Sequence, residues 1–253
     1  MTAQPTRSPP GGLAVIDSPM DAPQAPQLSC SDSATRLGIA LPDLPRWVEA
    51  HGLLAEPTSW VERWPGGGLV GQEDAGLAVV CGLVDRPAVT RLAAEHPGVS
   101  VLCAPEETLS LPGRSQTLAR LYVLSEPVED PGQLVSPLDP RDELGHLPAE
   151  LRRELTWALG RRRVWAAWVD GQPVSFAYAS WRSPRWFDVS VDTLPGYRQL
   201  GLATLVARAL IVDERTRGRQ PVWGATEDNL ASQRLAASLG FVEHDKLRVF
   251  APE

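Results

Sequence analysis

Hydrophobic and polar positions change period several times along the chain, and each change predicts an element. From Trp186 to Thr193 the run is β-rich and ends in strict alternation. That spacing puts Asp188, Ser190 and Asp192 on one face of a strand and Val189, Val191 and Thr193 on the other. On an internal strand the polar face opens onto a cleft; on an edge strand it is merely solvated. A Pro195-Gly196 turn and a long amphipathic helix follow. Upstream, Val164 to Val169 and Val174 to Trp181 flank an Asp170-Gly171 hairpin signal, and Ser183-Pro184 turns the chain into Trp186. Leu118 to Leu124 reads as a strand, and Leu147 to Leu159 has helical spacing that ends at Gly160. Downstream come a short strand from Pro221 to Ala225, a helix capped by Asn229 and stopped at Gly240, and a last strand from Leu247 to Phe250.

The first half is patterned differently. Residues 1–31 are rich in proline, glycine, alanine and serine without periodicity, which predicts a disordered tail. A helix is expected to begin near Pro45 and end close to Gly52. Gly76 to Gly82 reads as a buried strand, Arg86 to Glu95 as a helix opened by Pro87, and Val99 to Cys103 as a second strand. His96 falls at that helix end, a capping position. Trp47, Trp60 and Trp64 read as packing residues, with a substrate platform as the alternative. The expected organisation is a tail (1–31), a small N-terminal α/β domain (32–114) and a C-terminal domain (115–253).

Composition narrows the function classes. At 253 residues and 43% hydrophobic content a buried core is expected, and a net charge of −7 argues against a general nucleic-acid or anionic-membrane binder. No apolar run reaches the ~20 residues of a membrane span, and the start of the chain lacks a basic segment followed by an apolar one. Cys30, Cys81 and Cys103 have no metal-ligand spacing, so reduced thiols, a cytoplasmic location and no metal are expected.

Candidate chemistry concentrates between Asp192 and Thr204. There a strand, a glycine-containing loop and a helix start follow one another directly, and the first amides of a helix have no partner within it. Gly201 and Ala203 are small enough for an anion to approach the backbone, and Arg198 adds positive charge. The only lysine is Lys246, which excludes a P-loop, and the glycines do not spell G-x-G-x-x-G. Arg198, Gly201 and Ala203 do spell R-x-x-G-x-A. This resembles the pyrophosphate-binding signature of the GNAT N-acetyltransferase superfamily. Downstream, Asn229, Ser232, Leu235, Leu239, Gly240 and Phe241 resemble the N-x-x-[AS]-x-x-L-x-x-x-L-G-F of its final helix.

The resemblance spans roughly 118–250 and implies an α/β (α+β) fold, a GNAT-type mixed twisted sheet with flanking helices. It implies acetyl-CoA as co-substrate, held by Val191, Asp192 and Thr193 along the strand and by Arg198, Gln199, Leu200, Gly201, Leu202, Ala203 and Thr204 in the cradle. Asn229 and Ser232 would lie near the thioester. The implied reaction is direct attack of a primary amine on the thioester. Candidates for its proton transfers are Asp188, Asp192, Glu227 with its neighbour Asp228, and Ser232. The tyrosine many members carry seven residues after the asparagine is Ala236 here, which leaves Ser232, Tyr197 or water as proton donor, or a thiolate that departs unassisted. The N-terminal half, a degenerate copy or an unrelated α/β module, would roof the acceptor site. Arg161, Arg162 and Arg163 read as a helix end, with a cofactor phosphate contact as the alternative. A silent acyl-CoA sensor and an aminoacyl-tRNA-dependent transferase are the competing functions, the second disfavoured by the acidic charge. A homodimer is compatible with all of this.

Overall fold

Glycines, prolines and short alternating runs divide the chain into strands that all join one sheet. The computed structural model describes residues 35–253; the stretch 1–31 and Cys30 lie outside the described residues. A 3-10 turn (Pro45–Trp47) opens α1 (Val48–Ala55), followed by β1 (Trp60–Trp64), β2 (Gly67–Gln72), β3 (Leu77–Gly82), α2 (Arg86–Glu95) and β4 (Ser100–Cys103). Then come β5 (Arg114–Val123), β6 (Ser136–Pro137), α3 (Ala149–Leu159), β7 (Trp165–Val169), β8 (Gln172–Arg182) and β9 (Trp186–Thr193). The chain finishes with α4 (Leu202–Thr216), β10 (Gln220–Thr226), α5 (Leu230–Ser238) and β11 (Val242–Pro252).

The strands form a single mixed sheet in the order β1-β2-β3-β4-β11-β5-β10-β9-β8-β7-β6. One succession occurs twice. β1, β2 and β3 run antiparallel, α2 crosses over, and β4 returns parallel to β3. β7, β8 and β9 likewise run antiparallel before α4 crosses to the parallel β10. The two helix starts differ in chemistry. Asp85 accepts from the Ala88 amide at 3.0 Å and Pro87 carries no N–H, so the start of α2 is filled by its own carboxylate. The start of α4 has no side-chain cap.

Helices cover both faces. On one, α4 and α5 bury Val206, Leu210, Ile211 and Ala236 against Phe187, Val189 and Trp223, while α2 packs Val89 and Leu92 on Ala78, Val80 and Phe250. On the other, α1 packs Val48, Leu53 and Leu54 on Val70, Val79 and Trp181, and α3 packs Leu155 and Ala158 on Phe176 and Tyr178.

Several expected bounds shift for identifiable reasons. Gly52 lies inside α1 rather than at its end, because a Cβ there would come within 2.6 Å of the Trp181 ring. The glycine is a packing notch, not a stop. β1 and β2 carry no alternation strong enough to predict them; Gly71 of β2 leaves room for the Trp60 ring, which a Cβ would approach to 2.4 Å. Trp60 and Trp64 pack against the α2 core and Trp47 against the α1 core. His96 ends α2, its backbone N–H donating to the Leu92 carbonyl while its ring stacks on Trp60 at 4.2 Å. β11 extends beyond Leu247–Phe250, its charged stretch at His244, Asp245 and Lys246 interrupted by a bulge between Glu243 and Asp245.

Candidate active site

Strands β9 and β10 pair only at their beginnings. The parallel register runs from Trp186–Gln220 to Asp188–Val222 and stops. β9 continues along β8 as far as Thr193–Ser175, and β10 continues along β5 as far as Thr226–Ala119. The sheet is therefore forked between residues 189–193 and 223–226. Backbone polar groups alternate sides along a strand. The Gln220 amide bonds the Arg185 carbonyl at 2.8 Å, and the Leu194 amide bonds the Val174 carbonyl of β8 at 2.9 Å. Odd-numbered positions of β9 thus turn their N–H and C=O groups toward β10. Beyond the last paired residues, Val191 offers both groups and Thr193 its N–H to the fork, where an extended ligand can add as a strand.

The cradle closes one end of this fork. Gln199 and Gly201 both have positive φ, at 62° and 78°, and this double reversal brings the chain into α4. A Cβ on Gly201 would meet no atom within 4 Å, so the bend is open rather than plugged. The first helical bonds run from Thr204 and Leu205 to the Gly201 carbonyl, leaving the amides of Leu202 and Ala203 ahead of them. Leu200 is 64% exposed beside this mouth. Arg198 folds back, its Nε donating to the Thr193 carbonyl at 3.2 Å. Free amides, the positive end of a 15-residue helix and a guanidinium make a site for a di-anion.

On the opposite face of the sheet a cavity of about 260 Å³ reaches the fork, lined by Glu49, Leu102, Ala119, Leu121, Asp188, Val189, Ser190, Gly224, Ala225, Thr226 and Leu247. The polar face of β9 is thus internal and opens into a cleft. Burial pushes the Asp188 carboxyl up to about 6, against hydrogen bonds from the Ser180 hydroxyl and the Val189 amide and the charge of Arg162. Ser180 and Ser190 share a hydrogen bond across β8 and β9. Asp192 sits further along the same face and is not among the lining residues; burial, then the Glu154 carboxylate, raise it to about 6, with Arg198 opposing.

Glu49 is the member that pattern reading missed. It comes from α1, where residues 48–54 are all buried, and it is itself 8% exposed. Burial and the Asp188 charge push its carboxyl up to about 8, and its Oε2 has no hydrogen-bond partner. Several contacts hold it there. Asp43 accepts from the Ser183 hydroxyl at 2.5 Å and the Arg185 amide at 2.9 Å, in the turn between β8 and β9. Arg46 forms a bidentate pair with Asp245 of β11, both bonds at 2.5 Å. The local sequence gives little signal of this: Glu49 is flanked by Val48 and Ala50, and His51 is the other polar residue of α1.

The remaining candidates are less close to the cavity. Glu227 is drawn to the surface by Arg120, at 3.0 Å, which also pairs with Glu243 at 2.7 Å. It is not among the residues that line the cavity. Asp228 is likewise exposed and held low, first by its hydrogen bond with Thr226. Asn229 caps α5, accepting from the Ser232 amide at 3.1 Å. The Ser232 hydroxyl accepts from Trp223 Nε1 at 2.9 Å, which leaves its own hydrogen to donate. Ala236 is fully buried in the core beneath α5. The arginine run faces away from the cradle: Arg163 pairs at 3.2 Å with Asp213, about 16 Å along α4 from its start. Arg161 and Arg162 lie over the Trp157 ring, at 4.8 and 4.4 Å. Among the described residues no cluster of His, Cys, Asp or Glu could hold a metal ion, and no helix is long and apolar enough to cross a membrane. Cys81 and Cys103 are buried free thiols.

Comparison with known proteins agrees with this geometry. A family model described as GNAT acetyltransferase matches residues 165–250, the segment from β7 into β11. Among solved structures, a GNAT-family protein from Novosphingobium aromaticivorans DSM 12444 superposes with a TM-score of 0.61 at 20% identity, over 83% of this chain and 100% of that one. A GCN5-related N-acetyltransferase-like protein from Streptococcus suis 89/1591 gives 0.58 at 17% identity, over 89% and 100%. A GCN5-related N-acetyltransferase from Kribbella flavida gives 0.53 at 17%, over 82% and 94%. These likenesses show the fold. No curated protein matches the chain.

Proposed function

We propose that this chain, whose residues 165–250 match a GNAT acetyltransferase family model and whose fold resembles GNAT structures, moves an acetyl group from acetyl-CoA to a primary amine by direct attack. The observation that carries this reading is the fork. It gives a thioester arm the backbone groups of Val191 and the Thr193 amide, with an anion cradle at one end and a carboxylate-lined cavity on the other face. In this reading Arg198 and the amides from Gln199 to Thr204 bind the pyrophosphate, and Asn229 and Ser232 flank the arm on the α5 side.

The chemistry follows from what each side of the fork offers. The acceptor enters as an ammonium and loses a proton to the Asp188 carboxylate: an N–H bond breaks and an O–H bond forms. With its carboxyl raised to about 6, Asp188 is poised near working pH, the condition under which a general base is most effective. The amine nitrogen then bonds to the thioester carbon, the carbonyl oxygen gathers charge against the β9 amides, and the C–S bond breaks as the nitrogen gives up its second proton to the departing sulfur, which leaves as the thiol. In this reading Ser232, whose hydroxyl hydrogen is left to donate, hydrogen-bonds the sulfur in place of the tyrosine absent at Ala236. Asp192 shapes the same electrostatic field and, with α1, the half spanning 32–114 roofs the acceptor side.

The test is free-thiol release from acetyl-CoA across a panel of amines, with initial rates at varied concentrations of both substrates. Direct attack predicts acceptor-dependent release and intersecting double-reciprocal lines. Tight acetyl-CoA binding without release, or parallel lines from an acetyl-enzyme, would overturn it.

A further inference from the structure

The cavity on the acceptor side pairs unusual walls. Its lining residues include two carboxyl groups, Glu49 and Asp188, the hydroxyls of Ser190 and Thr226, and no lysine, arginine or histidine. The rest of its surface is mostly apolar, from Leu102, Leu121 and Leu247. Glu49 is nine-tenths buried and its Oε2 is left without any protein partner. An orphaned carboxylate oxygen in an apolar wall costs free energy unless something else meets it. At about 260 Å³ the cavity falls below the ~300–1,000 Å³ of drug-sized sites, so what meets it is slender. α1 does not adapt freely to a different occupant, since Asp43, Arg46 and the Gly52–Trp181 contact fix it to the β8–β9 turn, β11 and β8.

We propose that Glu49 is the specificity-determining residue of the acceptor site: its carboxyl, with that of Asp188, receives the ammonium of an unbranched primary alkylamine whose stem lies along Leu102, Leu121 and Leu247. This rests on the acyltransferase reading above and adds to it the class of acceptor. It also gives the N-terminal half a chemical part in the site, because Glu49 lies outside the segment that matches the family. A cation between the two carboxyl groups supplies the charge that the walls lack. A branched or zwitterionic acceptor would either overfill the cavity or place its own carboxylate against Glu49.

Binding to the full chain, measured by calorimetric titration at pH 8, tests this with n-pentylammonium chloride and n-pentanol. The wild type should bind the ammonium at least tenfold more tightly than the alcohol. Glu49→Gln should weaken n-pentylammonium at least tenfold, leave n-pentanol unchanged and melt no lower than the wild type. Glu49→Asp, which keeps the charge but shortens its reach, should fall between them. Equal n-pentylammonium affinity in the wild type and Glu49→Gln, or no binding to the wild type, would overturn the proposal. Acetyl-CoA is titrated separately. If it fails to bind while the ammonium result holds, the acyltransfer reading of the fork falls and the Glu49 subsite stands.

Discussion

Replacing Glu49 by glutamine should make the protein more stable, and increasingly so as pH rises. The ordinary glutamate value is 4.5 and burial beside Asp188 moves it to about 8 in the folded chain. A carboxyl raised on folding binds its proton more tightly in the native state. Its share of stability is complete below about 4.5 and is lost as pH climbs through about 8. At about 1.4 kcal/mol per pKa unit that displacement bounds the loss at roughly 5 kcal/mol, and water entering the open cavity brings it to ~2–3 kcal/mol. Glutamine keeps the shape and cannot ionise. Urea unfolding of both proteins at pH 5, 7 and 9 should show near-equal stability at pH 5 and a gap of about 2–3 kcal/mol in favour of Glu49→Gln at pH 9. A gap that does not change with pH would refute the reasoning, because it would mean that Glu49 is ionised and partnered throughout.

Other consequences can be measured alongside. Gly201→Val should cost only about 1–2 kcal/mol of stability, from positive-φ strain without a clash, while acetyl-CoA affinity in a titration drops at least tenfold. In kcat/KM profiles, activity should rise with pH through about 6 as Asp188 ionises, and Asp188→Asn should lose that limb along with most of the rate. Glu214→Gln should destabilise by ~3–5 kcal/mol in denaturant unfolding. It strands the buried Arg219, 2.9 Å from Glu214, and the neighbouring Arg182.

How much of this was legible in the sequence depended on whether the signal was local. Asp170 and Gly171 both take positive φ, at 50° and 75°, in the hairpin turn that their identities announced. The alternation from Asp188 to Thr193 marked β9, and R-x-x-G-x-A marked the cradle, because turn chemistry and side-chain period act within a few residues. What depends on distant pairing was not visible. The placement of β5 between β10 and β11 joins strands about a hundred residues apart, and nothing in Arg114–Val123 states its neighbours. Glu49 belongs to the same class: its role comes from a strand about 140 residues downstream, and α1 itself, buried on every side, has no polar face to signal an unusual acid. Glu227 shows the converse. The local pattern places it just past β10, but Arg120, from β5, decides where its carboxylate lies.

The central claim is that backbone groups in the fork and the cradle hold an acyl-CoA. Amide hydrogen exchange with and without acetyl-CoA reads those groups directly. Bound cofactor should slow exchange at Val191, Thr193 and the amides from Gln199 to Thr204, and leave the start of α2 beside Asp85 unchanged. Unaltered exchange at the fork with acetyl-CoA present at saturating concentration, or protection appearing at α2 instead, would contradict the account.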